Sequence, residues 1–115
     1  MTAQALKRFT AMAEQAQAHC DKFAADFAKD PSHALSWGLN VFQNAARLKV
    51  AQMMINAFAE EREHKCTIED ARETLMDRVM NKARYPAQST SPTSNLMEQY
   101  EAAAYAEALD VLKYL

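Results

Sequence analysis

Leu6, Phe9, Ala13, Ala16, Cys20, Phe23 and Phe27 recur at alternating steps of three and four. That spacing keeps one narrow apolar seam on one side of a helix, close to a coiled-coil pattern. It predicts a first helix over residues 2–29. Asp30-Pro31 ends it, because the residue before a proline is pushed away from helical dihedrals. Ser32 is then placed to cap the next helix.

The second helix is expected over residues 33–64, roughly 45 Å long at the helical rise. Leu35, Trp37, Leu39, Val41, Phe42, Leu48, Val50, Met53, Met54, Ile55 and Phe58 leave it apolar on most of its circumference. Such a helix is central, packed by neighbours on several sides. Its polar residues form a thin stripe: Ser36, Asn40, Gln43, Asn44 and Arg47. Gly38 beside Trp37 reads as a close helix crossing, since glycine here costs about 1 kcal/mol relative to alanine.

Thr67-x-x-Asp70 resembles a capping box with aspartate in the place of glutamate, so a third helix is expected over 67–84. Ile68, Ala71, Leu75 and Val79 make its seam, flanked by Met76 and Met80. Tyr85-Pro86 stops it, and residues 86–94, "PAQSTSPTS", read as a polar linker. Asn95 with Glu98 is expected to cap a fourth helix over 95–114, with Met97, Tyr100, Ala104, Ala108, Val111 and Leu115 on one side. The expected fold is all-α, one domain over 1–115. A long antiparallel helical hairpin carries two shorter helices packed on it, in a four-helix-bundle-like arrangement. The shorter pair does not reach over the whole hairpin.

Composition sharpens this outline. One glycine and three prolines are too few turn residues for a many-stranded β fold. Alanine occurs 23 times, against 20 residues of Leu, Ile, Val and Phe together. The core must therefore work by close helix approach over alanines, and a second copy of the chain is expected to bury the remainder. A homo-oligomer follows as the expectation.

The net charge of −2 gives no whole-chain attraction to nucleic acid or anionic membrane. The longest stretch without Lys, Arg, Asp or Glu runs from Pro31 to Ala46, too short to span a bilayer. Glu14 interrupts the segment after Lys7 and Arg8 before an apolar core of a signal peptide forms. Two cysteines, Cys20 and Cys66, are too few to staple a secreted fold. The chain reads as cytoplasmic, with reduced thiols and no membrane association.

Candidate chemistry begins with "AEEREHKC", residues 59–66. Glu61-x-x-His64 places a carboxylate and an imidazole on one helical face, as in di-iron bundles. Over these eight residues the string resembles that of encapsulated ferritins, half-bundles that complete a metal site by dimerising. Such a site needs a facing carboxylate, and the stretch expected to lie opposite, Met1 to Leu6, contains no acid. A charged helix end is the better account. His19 and Cys20 point about 100° apart on a helix and cannot share one ion without distortion. Cys20 fits the apolar seam instead. No glycine-rich phosphate loop or nucleophile elbow is present. No cofactor, metal or enzymatic activity is expected.

Arg72, Arg78, Lys82 and Arg84 gather on the third helix and its exit. Arg78, Lys82 and Arg84 are the candidates for contact with a nucleic-acid backbone inside a larger complex. Glu69, Asp70 and Glu73 at the opposite end of that helix make the helix dipole a sufficient cause for the same distribution, so nucleic acid is the second choice. The first is another protein. The ridge Asn40, Gln43, Asn44 and Arg47 carries amides and one arginine where a solvated helix face carries Lys and Glu. Amides satisfy hydrogen bonds against a partner without the cost of burying charge, and arginine is enriched at interfaces. Internal contact with the third or fourth helix is the competing account. The expected function is a non-enzymatic protein–protein interaction module: an adaptor, small subunit or inhibitor of a larger assembly.

Overall fold

The computed structural model describes residues 2–59, 66–84 and 91–115, apart from the side chains of 33–39 and 93. It contains four helices: α1 (Thr2–Lys29), α2 (His33–Phe58), α3 (Ile68–Arg84) and α4 (Pro92–Lys113). There is no strand among the described residues. The fold is the expected all-α, bundle-like one.

The helix ends show which local signals act. The capping box at Thr67 is formed: the Asp70 amide donates to Thr67 Oγ1 at 3.1 Å, and the Thr67 amide donates to Asp70 Oδ2 at 3.3 Å. The shorter aspartate thus reaches back as glutamate does in the standard motif. Ser32 precedes α2 but makes no side-chain cap bond. Its own amide instead donates to Asp30 Oδ1 at 3.0 Å, so the aspartate organises the tight turn.

Two boundaries differ from the sequence expectation. α4 starts at Pro92, three residues before Asn95. Ser91 is its cap, with Oγ accepting from the Ser94 amide at 3.3 Å, and Pro92 takes the first turn, where its missing N–H has no cost. α2 stops at Phe58, because Ala59 is extended (φ −60°, ψ 132°). Its amide bonds back to the Asn56 carbonyl at 3.4 Å and closes the last turn. The remainder of the expected second helix, 60–64, lies outside the described residues, as does 86–90 of the expected linker.

α1 and α2 form the antiparallel hairpin, α4 lies on α2, and α3 packs on α4 and hardly touches the hairpin. The core collects Phe9 and Met12 of α1, Val50, Met54 and Phe58 of α2, Leu75 of α3, and Tyr105 and Leu112 of α4. Phe9 and Phe58 stack with centroids 6.2 Å apart. Phe9, Leu75, Leu112 and Val50 are the largest side chains fully out of water, each contributing about 1.5–3 kcal/mol on burial. Ala5, Ala16, Ala51, Ala71, Ala104 and Ala108 are buried beside them, the close helix approach that the composition implies.

The buried seam of α1 is shifted from the expected one. Ala5 and Met12 are buried, whereas Leu6 and Ala13 are only partly covered. α1 contacts α4 as well as α2, so its covered side is not set by the hairpin seam alone. Among the described side chains, the core lies toward one end of the hairpin. On α1 it runs from Ala5 to Ala16, and on α2 from Val50 to Phe58.

Candidate interaction face

Arg47 stands where the three-helix part of the molecule ends. Its Nε lies 3.2 Å and 3.0 Å from the two carboxylate oxygens of Glu107 on α4, and Nη2 donates to Glu107 Oε1 at 3.0 Å. Nη1 donates to Asn44 Oδ1 at 3.1 Å, and Nη2 also donates to Gln15 Oε1 of α1 at 2.9 Å. Asn44, 8% exposed, donates back to the Asn40 carbonyl at 2.8 Å. One guanidinium therefore ties three helices together, which the planar donor fork permits and a lysine ammonium does not.

The cations of α3 are committed in a similar way. Arg78 donates to the Tyr105 hydroxyl at 3.0 Å, with its guanidinium carbon 5.4 Å from the ring centroid. Tyr105 donates to Glu101 Oε1 at 2.8 Å. Lys82 pairs with Glu98 and lies 3.8 Å from Glu101, and Lys49 of α2 reaches Glu101 Oε2 at 3.4 Å. Burial opposes the charge on Glu101, but the Tyr105 hydrogen bond and the Lys82 and Lys49 ammoniums outweigh it and hold its pKa below the usual carboxylate range. Burial likewise opposes the charge on Lys82. The Glu98 hydrogen bond and the Glu101 charge overcome it and raise the pKa of the ammonium. Arg72 donates to the Leu112 carbonyl at 2.6 Å, covering the end of α4.

Past Arg47, Glu107 is the one described residue of α3 and α4 that lines the groove of the hairpin. The uncovered end of α1 and α2 encloses a groove of about 610 Å³. His19, Lys22, Phe23 and Asp26 form its α1 side, Asn40, Val41 and Gln43 its α2 side, and Arg47 with Glu107 closes it. Phe23 stacks on Phe27 with centroids 6.0 Å apart, and Phe27 is 42% exposed. Cys20, Val41 and Phe42 are half-buried. Partial burial, then the neighbouring Asp21 charge, raises the pKa of the Cys20 thiol.

Compared with protein-family models, curated proteins and solved structures, the chain has no significant match. Its surface must be read from its own geometry.

The structure divides the polar ridge of α2. Asn44 and Arg47 belong to internal contacts, whereas Asn40 and Gln43 are exposed in the groove. Of the three candidate phosphate-binding cations, Arg78 and Lys82 are held by α4, and Arg84 is exposed. Most of "AEEREHKC" lies outside the described residues. Among the described residues no cluster of His, Cys, Asp and Glu fits a metal ion, and no helix is long and apolar enough to cross a membrane.

Sequence reading missed Glu107, Glu101, Gln15 and the α1 residues His19, Lys22 and Asp26. One signal was present. α4 carries Glu98, Glu101, Glu107 and Asp110 against the single cation Lys113. An acidic helix in a bundle calls for cations on the helices beside it, and Arg47, Lys49, Arg78 and Lys82 supply them.

Proposed function

We propose that this chain is a non-enzymatic helical interaction module, an adaptor or small subunit that engages another protein through the uncovered end of its α1–α2 hairpin. One observation carries this reading: beyond Arg47 the groove between α1 and α2 is lined, among the described residues, by those two helices and Glu107 alone. Phe23 and Val41, with Phe27 stacked on Phe23, offer apolar area there, and Asn40 and Gln43 offer amides. Apolar residues edged by amides and by the charged Lys22 and Asp26 match the polar rim of a protein-binding surface. α3 serves the fold, since its cations mostly bind α4.

Site-specific photocrosslinking in the native host tests the proposal. A photoreactive residue replacing Gln43 should give a discrete protein adduct. The same residue replacing the exposed Asp77 on α3 should not. Equal labelling from both positions, or no adduct from position 43, would overturn the interaction reading.

A further inference from the structure

We infer that the occupant of the uncovered hairpin end is a second copy of this chain, docked antiparallel about a two-fold axis. The inference rests on the interaction reading above and names the partner.

A folded monomer of 12.9 kDa should expose about 6,300 Å² by the usual scaling with mass. This chain exposes 7773 Å². The surplus, about 1,500 Å², exceeds the roughly 800 Å² that each partner contributes to a standard interface. The radius of gyration agrees: it is 15.6 Å, where a compact chain of this length has about 13 Å. Among the described side chains, the buried apolar core reaches Ala16 on α1 and begins at Val50 on α2.

Lys22 and Asp26 stand one helical turn apart on α1, and both line the groove. Neither makes an ion pair or hydrogen bond with a described residue. A two-fold axis passing opposite Ala24 sets Lys22 of one copy against Asp26 of the other, twice. An isologous interface requires such self-complementarity, because the same patch must accept itself. A face of one sign would repel its own copy. Besides the internally paired Arg47 and Glu107, this one carries Lys22 and Asp26, one cation and one anion in mirrored order. The stacked Phe23 and Phe27 supply aromatic anchors of the kind that dominate interface energetics.

Charge reversal separates this arrangement from other occupants. The full chain, followed by light scattering and sedimentation across the micromolar range, should be a dimer. Lys22→Asp puts two acids opposite each other, and Asp26→Lys puts two bases. Each variant should raise the dimer dissociation constant about tenfold or more while keeping the parental helical content by circular dichroism. Mixing the two variants in equal amounts should restore association as a one-to-one heterodimer, since every contact is again between opposite charges. A monomeric parent chain overturns the second copy as occupant, and crosslinking from position 43 then still reports on a different protein. A dimer indifferent to both reversals overturns this face. A mixture that stays monomeric overturns the Lys22–Asp26 pairing.

Discussion

Arg47 of α2 binds Glu107 of α4 through both Nε and Nη2, across 60 residues of sequence. The pair marks the edge between the covered and the uncovered parts of the hairpin. Arg47 is 17% exposed and Glu107 41%, so the bare ion pair is weakened by solvent screening. Most of the stabilisation comes from the shared hydrogen bonds to Glu107, Asn44 and Gln15.

Arg47→Ala should therefore lower unfolding stability by about 1.5–3 kcal/mol. Arg47→Lys should recover only part of it, because an ammonium cannot reproduce the fork. Gln43→Ala, one turn away and exposed, should change stability by less than about 0.5 kcal/mol. Urea midpoints of the three variants check this. Equal losses at positions 43 and 47 would show that the ridge acts as one internal unit.

Acid should weaken the contact of α4 with α2 and α3 through Glu101. Its native pKa is depressed, so its contribution is complete above the ordinary glutamate range and is lost as pH falls through the lower native value. Lys82 has a raised pKa, so its contribution is complete below the ordinary lysine range and fades as pH rises through the higher native value. Glu101→Gln should be less stable than the parent at neutral pH, and the gap should close on acidification. Denaturant titrations at a series of pH values measure it. A gap that stays constant into strong acid would remove Glu101 from the acid response.

Arg78 and Arg84 differ in role although both lie near the end of α3. Arg78→Gln removes the hydrogen bond to Tyr105 and the contact with its ring. It should cost about 1–2 kcal/mol. Arg84→Gln should leave stability within about 0.5 kcal/mol. Thermal unfolding of the two single variants distinguishes them. Equal, small effects would free Arg78 for contact with an external phosphate and restore the nucleic-acid alternative, which a steep salt dependence of binding would then support.

Helix identity was written locally in this chain. Alternating apolar steps of three and four gave α1, Asp30-Pro31 ended it, and Thr67 with Asp70 capped α3 as their spacing implies. These signals act within a few residues, so the order of the chain is enough to read them. The start of α4 was legible too: Ser91-Pro92 is a stronger cap-and-first-turn pair than Asn95 with Glu98, and the polar, proline-containing composition around it masked the signal.

Which face of each helix is buried was decided only in three dimensions. Val41 and Val50 lie on the same apolar helix, yet Val50 is fully buried and Val41 only half. Nothing in their local sequence separates them. Val50 lies in the core with Ala104, Tyr105 and Leu112 of α4, whereas Val41 lines the groove. Likewise Asn40, Gln43, Asn44 and Arg47 are one polar stripe in sequence. The position of Glu107, 60 residues after Arg47, turns half of that stripe inward and leaves Asn40 and Gln43 in the groove. Helical periodicity determines which residues share a side. Only the packing of a distant helix determines which part of that side meets water.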